Sequence, residues 1–227
     1  MQHQNVSQYV IVGGGTAGWM TAALLSKVLP QSSVSITLVE SPDQPSIGVG
    51  EATAPSFVDF VRLLGINEQE FIASTGATFK LGIRFSDWQY KGHSYWHPFG
   101  NVGARIDGQS FFQQWLNARQ GGLQNDYTDF SPSARMAEKQ RFFVPDPAKP
   151  NNLSRMGYAY HFDAQRVADF LCEYATSRGV THKREHVKTV RVDSTLGTIT
   201  GLTTTDGNGI DGEFFIDCSG DKALLLG

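Results

Sequence analysis

Three glycines, Gly13, Gly15 and Gly18, stand between a short apolar run and a stretch with helical spacing. This spacing suits one kind of chemistry. Gly13 allows a tight turn, Gly15 lets the backbone approach a pyrophosphate, and Gly18 lets the following helix pack close to the preceding strand. With Thr16 and Ala17 these residues open the helix, so phosphates would meet the positive end of its dipole. Glu40 closes the next β-rich run, where a carboxylate can accept hydrogen bonds from an adenosine ribose. A glycine-rich turn that binds nothing is the plain alternative. Strand, motif, helix, second strand and terminal acid occur here in order, which favours a dinucleotide, although the motif alone does not separate FAD from NAD.

A second group that could do chemistry is Lys80. Thr78 to Trp88 alternates, with Phe79, Leu81, Ile83 and Phe85 on one face and Lys80, Gly82, Arg84 and Ser86 on the other. A desolvated amine facing a cavity is a good nucleophile toward an electrophile. By pattern alone, Lys80 reads rather as a solvated lysine on the polar face of a half-buried strand. His93, His97 and His161 fit no common metal-ligand spacing, so no metal is expected. His161 sits in an alternating aromatic strand and reads as a hydrogen-bonded structural histidine. Trp88, Tyr90, Tyr95, Trp96 and Phe99 serve either as the wall of a substrate pocket or as packing.

These residues need elements to position them. Tyr9 to Val12 predicts a buried strand, Trp19 to Leu29 a helix ended by Pro30, and Val34 to Val39 a second strand. Ser46 to Thr53 reads as a glycine-containing loop, and Ser56–Leu64 and Glu68–Ala73 as short helices. Tyr90 to Gly108 reads as loop, with helices over Phe111–Arg119 and Pro132–Glu138 and a proline-rich connection from Pro145 to Asn152. Then come a strand over Tyr158–Phe162 and a helix over Ala164–Ser177. Strands follow over Glu185–Val192, Gly197–Thr204 and Gly212–Asp217. The order predicts an α/β nucleotide domain, Rossmann-like, with a second layer inserted over about residues 80–157 and no clean domain boundary.

The totals narrow the function classes. The 227 residues are enough for a real core. A formal net charge of -3, with no run of Lys or Arg, argues against nucleic acid as a partner. The apolar runs are far short of the roughly 20 residues of a membrane-spanning helix, and Met1 to Gln8 lacks the apolar core of a signal peptide. Cys172 and Cys218 form no metal or redox spacing and read as reduced thiols of a cytoplasmic protein. Nothing in the sequence fixes an oligomeric state.

A later segment tips the choice of nucleotide. Gly212 to Gly220, an apolar strand ending in Asp217-Cys218-Ser219-Gly220, resembles the segment that returns to the nucleotide domain in FAD folds of glutathione-reductase type. Five blocks in order then resemble the flavin-dependent tryptophan halogenases. They are Val12–Trp19 (Val-Gly-Gly-Gly-Thr-Ala-Gly-Trp), Gly48–Pro55 (Gly-Val-Gly-Glu-Ala-Thr-Ala-Pro), Thr78–Phe85, Tyr158–Ala164 and Phe215–Gly220. The resemblance runs from about Val10 to Gly220 and corresponds to the N-terminal half of a family member.

The resemblance implies the following. FAD, delivered as FADH2 by a separate flavin reductase, acts with oxygen on chloride or bromide. The resulting hypohalous acid reaches Lys80 through an internal tunnel, and Lys80 presents the halogen to an aromatic substrate, tryptophan or another indole. Ile47, Val49 and Ala52 would touch the cofactor, and the backbone at Val187 would meet adenine. Glu51 has the plainer reading of an acid near the start of a helix and is not assigned a catalytic role.

The sequence also departs from the family. The Trp-x-Trp-x-Ile-Pro stretch, the glutamate that works with the lysine and the C-terminal Gly-Asp segment are not in these residues, and Asp221-Lys222-Ala223 replaces the usual continuation. The expectation is a chain incomplete at its C-terminus, poorly soluble alone, with apolar surface uncovered. Two other readings stand beside halogenation. One is a flavin monooxygenase of the same superfamily, which needs neither halide nor Lys80. The other is an FAD-binding remnant without catalysis.

Overall fold

Val10, Ile11 and Val12 are consecutive and all buried, the mark of a strand covered on both faces, as central parallel strands are. A computed structural model, describing residues 6–43, 50–146, 148 and 156–226, places them at the centre of a parallel sheet. In chain order the elements are β1 (Gln8–Val12), α1 (Thr16–Val28), β2 (Ser35–Glu40), β3 (Gly50–Ala52), α2 (Pro55–Leu64), α3 (Glu68–Thr75), β4 (Thr78–Lys80), β5 (Gly82–Ser86) and β6 (Ser94–Pro98). There follow α4 (Phe111–Gln120), α5 (Pro132–Glu138), β7 (Ala159–Asp163), α6 (Ala164–Ser177), β8 (Thr181–Arg184), β9 (Val187–Val192), β10 (Ile199–Thr204), β11 (Gly209–Asp211) and β12 (Phe214–Asp217). The fold is mixed α/β, as expected.

The chain divides into two units. The first comprises Met1–Glu51, Leu63–Ala77 and Phe162–Gly227. Its sheet has the order β12-β1-β2-β8, with every pair parallel. Helices α1 and α6 pack together, and both bury small residues, Gly18, Ala22 and Ala23 on one and Ala164, Ala168 and Ala175 on the other. Asp163 caps α6, its Oδ1 accepting from the amides of Gln165 (2.9 Å) and Arg166 (3.1 Å). An antiparallel meander, β9-β10-β11, covers the parallel sheet through a core of Val10, Val12, Val39, Leu202 and Ile210.

The second unit comprises Ala52–Arg62 and Thr78–His161. Strand β4 pairs antiparallel with β7 in the register Thr78↔His161, Phe79↔Tyr160, Lys80↔Ala159. Beside it lies an aromatic core in which Phe79 stacks on Phe142 (3.7 Å between centroids) and meets Tyr158 edge-on (5.7 Å). Strands β5 and β6 form a separate hairpin.

Several expectations about local structure are corrected. Thr78 to Trp88 is two strands with different partners, broken at Leu81. The alternation therefore does not define one face: Leu81 is buried, Phe79 and Phe85 are half-buried, and Ile83 is exposed. Part of the loop expected over Tyr90–Gly108 is β6, which pairs with β5. Strand β8, Thr-His-Lys-Arg, escaped the apolar signal because an edge strand of polar composition is held by pairing with β2 alone. The strand expected from Glu185 starts at Val187, and the one expected from Gly212 starts at Phe214. Helix α1 begins at Thr16, inside the glycine motif. No helix among the described residues is long and apolar enough to cross a membrane.

Candidate functional site: a glycine-turn cavity and a lysine on a strand pair

At the C-terminal ends of β1, β2 and β12 the first unit holds a cavity of about 670 Å³. Such ends are where open parallel sheets bind ligands. Val12 leads straight into the turn. Gly13 has φ of +116°, and a Cβ there would also strike the Cys218 carbonyl oxygen, so both backbone and packing demand glycine. The turn is tied down by hydrogen bonds from Gly13 N to Val39 O and from Cys218 N to Val12 O, both 2.8 Å. Gly18 sits behind it, where a Cβ would collide with the Gly13 carbonyl oxygen.

Gly15 behaves differently. It is extended (φ −73°), and a Cβ there would meet no protein atom within 4 Å. Packing inside the protein gives no reason for glycine, whereas close approach of a ligand does. Gly15 is also the N-cap of α1, makes no side-chain cap, and is followed by a first turn without acidic residues. The leading amides of α1 are thus left to an anion.

Glu40 ends β2 at the same cavity. Its Oε1 accepts a 2.7 Å hydrogen bond from His182 Nε2 of β8, and both side chains are largely buried. The second oxygen, Oε2, lies so close to Gly14 that a Cβ on Gly14 would overlap it and stand 2.7 Å from Glu40 Cβ. The middle glycine of the motif, a free position in the fingerprint, therefore makes the space that this placement of the glutamate uses. His182 Nδ1 lies 3.8 Å from the Cys172 thiol, and Trp19 meets its ring edge-on at 4.8 Å. Burial first, then the charges of Glu40, Asp169 and Glu173, push the Cys172 thiol up to about 11. It stays protonated and is no nucleophile.

The turn after β12 forms the facing wall. Asp217 Oδ1 accepts from Ser219 N (2.9 Å) and Oγ (2.6 Å), and Oδ2 from Leu225 N (2.8 Å). Burial opposes ionisation, but these bonds outweigh it and hold the carboxyl below its ordinary range. A carboxyl depressed in the folded state contributes stability above its unfolded value, about 3.9, which is lost as pH falls through the folded value. Asp217→Asn is expected to lower stability at pH 7 by about 2 kcal/mol and to flatten this acid limb. Urea unfolding at pH 7 and pH 3 measures both, and an unchanged midpoint at pH 7 would refute the bracing role.

The cavity brings together Gly13, Gly15, Thr16, Ala17, Glu40 and Val187. Gly18 packs behind it. Ile47 and Val49 lie outside the described residues, and Ala52 belongs to the second unit. Sequence reasoning missed Gly14, Ser41, His186 and Lys222 of the lining and His182, which bonds Glu40, and gave Glu51 only a helix-start role, whereas it lines the cavity. Open helix amides, a strand-end carboxylate, a cationic Lys222 and a glycine with room above it fit the adenosine diphosphate part of a dinucleotide such as FAD.

Lys80 belongs to the second unit. Its Nζ donates to the Thr53 carbonyl oxygen at 2.9 Å and lies 5.3 Å from the centroid of the buried Phe99 ring, a cation–π distance. Thr53 is itself clamped to Tyr160: its N (2.9 Å) and Oγ1 (3.1 Å) donate to Tyr160 O, and its Oγ1 accepts from Tyr160 N (3.0 Å). Lys80 lines a cavity of about 410 Å³ with Phe79, Trp96, Arg141, Phe142 and His161. The described lining holds three basic groups and no carboxylate. Lost hydration, and secondly the charge of Lys80, hold the His161 imidazole below its ordinary range. The aromatic stretch divides: Trp96 lines this cavity, Phe99 underlies Lys80, Tyr95 stacks on Phe85, and Trp88 and Tyr90 are exposed. Among the described residues no group of three or more His, Cys, Asp or Glu is placed to hold a metal.

The family model for tryptophan halogenase matches residues 8–227. The tryptophan 6-halogenase SttH of Streptomyces toxytricini is 36% identical over 244 residues, spanning 100% of this chain and 46% of its own. Among solved structures, Xcc4156, a flavin-dependent halogenase from Xanthomonas campestris, superposes with a TM-score of 0.90 at 43% identity over 99% of this chain and 44% of its own. BrvH, a flavin-dependent halogenase from Brevundimonas sp. BAL3, gives 0.89 at 38% identity over 98% and 44%. The chain thus spans about half the length of the relatives it matches.

Proposed function

The chain belongs to the tryptophan halogenase family, and from that premise we propose that it forms the FAD-binding and lysine-bearing part of an enzyme that halogenates an aromatic compound, tryptophan or another indole. The observation that carries this reading is Lys80, its Nζ held 2.9 Å from the Thr53 carbonyl above the Phe99 ring and lining an aromatic, basic cavity. Gly13, Gly15, Thr16 and Ala17 would hold the cofactor's pyrophosphate, Glu40 its ribose and the Val187 backbone its adenine, with Gly18 keeping the helix close. Ile47, Val49 and Ala52 would line the flavin. When bound and reduced by a separate flavin reductase, FAD supplies, with oxygen and chloride or bromide, the halogen at the oxidation level of hypohalous acid.

The chain's own residues do the rest. Lys80 donates a hydrogen bond to hypohalous acid and orients its halogen toward the substrate ring. The halogen bonds to a ring carbon, that carbon loses its proton, and the oxygen leaves as water. The Thr53 carbonyl and the Phe99 face hold Nζ in place for this, since effective transfer depends on an oriented donor. Phe79, Trp96 and Phe142 give the cavity apolar walls for an aromatic ring. The free thiols Cys172 and Cys218 fit a reducing compartment, and we assign the protein to the cytoplasm.

The test is product analysis by mass spectrometry with FAD, a flavin reductase, oxygen, bromide and a panel of indoles. It is run on this chain alone and joined to any downstream continuation of its reading frame. A brominated indole that requires bromide supports the reading. A hydroxylated product formed without halide would replace it with a monooxygenase, and flavin binding without turnover in either form would replace it with a binding module.

A further inference from the structure

We infer that His182 is a positioning residue for the cofactor: it holds the Glu40 carboxylate in the orientation that presents Oε2 at the dinucleotide cavity, and Gly14 keeps clear the space that this orientation needs. The inference rests on the reading of that cavity as an FAD site.

The chemistry follows from the partners. A carboxylate only accepts, so the 2.7 Å contact has His182 Nε2–H donating to Glu40 Oε1. The other ring nitrogen, Nδ1, faces the Cys172 thiol at 3.8 Å, within hydrogen-bond range for sulfur. Thiol, imidazole and carboxylate thus form one connected chain, with Nε2–H donating to Oε1 at its carboxylate end. The ring is fixed sideways by the edge contact with Trp19 at 4.8 Å. Backbone register supports it from below, since His182 pairs with Leu38 two residues before Glu40 and Arg184 pairs with Glu40 itself. Glu40 and His182 thus lie on one face of adjacent strands.

Glutamate has three side-chain torsions, and an unrestrained one would sample many positions at the cavity rim. Occupying Oε1 removes most of that freedom and leaves one oxygen for a ribose hydroxyl. Gly14 acts from the other side: any side chain there would overlap Oε2 and crowd Glu40 Cβ at 2.7 Å.

The test is FAD titration by quenching of flavin fluorescence, on the full chain and on His182→Leu, His182→Gln, Glu40→Ala and the double variant His182→Leu/Glu40→Ala. Melting temperatures are recorded alongside, because His182 also packs on Trp19. The expected result is about tenfold weaker binding for His182→Leu, recovery to within about threefold for the donor-retaining His182→Gln, and no further loss when His182→Leu is added to Glu40→Ala. An equal loss in both backgrounds would mean that His182 acts only through general stability and would overturn the inference, as would unchanged affinity in His182→Leu. Should His182→Leu fail to fold, Gly14→Ala displaces the carboxylate from the opposite side and is expected to weaken FAD to a similar degree. Wild-type affinity in Gly14→Ala would overturn the inference. Failure of the unaltered chain to bind FAD would refute the cavity reading and this inference with it, whereas binding without coupling refutes the inference alone.

Discussion

Replacing Lys80 with alanine is expected to reduce halogenated product at least about 100-fold while leaving FAD affinity unchanged. The size is that of removing the group proposed here to hold and orient the reagent by a hydrogen bond, an effect commonly worth ~10²–10⁴ in rate. The selectivity follows from the lining: Lys80 is not among the residues that line the glycine-turn cavity proposed to hold the adenosine diphosphate part of the cofactor. The variant should fold. Lys80 is partly exposed, and its loss removes one hydrogen bond to Thr53 and one contact with Phe99, for which about 1 kcal/mol is expected. Lys80→Met keeps most of the side-chain volume without the amine and should be equally inactive. The measurements are product by mass spectrometry, FAD affinity by fluorescence and stability by urea unfolding. Halogenation above about a tenth of the unaltered level in either variant would remove Lys80 from the reaction. Loss of FAD binding together with activity would mean that the substitution damaged the fold instead.

Alanine at Gly18 should abolish FAD binding and destabilise the chain by about 3 kcal/mol, whereas alanine at Gly15 should leave stability within about 1 kcal/mol and still weaken FAD. The two glycines belong to one motif but serve different ends. A Cβ on Gly18 would overlap the Gly13 carbonyl oxygen and lie 3.0 Å from Gly13 carbon. Neither partner can yield, because Gly13 is bonded to Val39 and the adjoining strand end to Cys218. A Cβ on Gly15 meets nothing within 4 Å and needs no strained backbone, so any penalty there must come from the ligand. Unfolding midpoints and FAD titrations on both variants separate the roles. Equal stability losses would mean that the turn has only a packing purpose. Unchanged FAD affinity in Gly15→Ala would remove the pyrophosphate from this turn.

Much of this protein is local in origin, and that part was open to reading from residue order. The Gly13–Gly18 turn, the α1 helix behind it, the Glu40 strand end and the Ala164–Ser177 helix each depend on a few neighbouring residues: a φ that only glycine tolerates, a periodic apolar face, a capping aspartate. Helix α6 was legible to its last residue because Asp163 caps its first amides and its buried positions repeat at helical spacing. The family blocks are legible for the same reason, since each is a short contiguous segment.

What residue order left open depends on partners distant along the chain. Lys80 on an apparently continuous amphipathic strand reads as a solvated lysine. It becomes a held amine because Tyr160 of β7, the strand paired with β4, fixes Thr53, whose carbonyl oxygen accepts from Lys80. Strand β8 is polar and gives no apolar signal, yet pairing with β2 sets His182 beside Glu40. Gly14 occupies a free position of the fingerprint, and only the folded path of the Glu40 side chain shows that a side chain there would displace the carboxylate. By itself the sequence determined most of the helices and the apolar central strands, where the dinucleotide turn lies and which family the chain resembles, because those rest on short-range sterics and periodicity. Tertiary structure alone decided which atoms face Lys80 and Glu40, because hydrogen-bond partners brought together by strand pairing leave no trace in the spacing of the residues themselves.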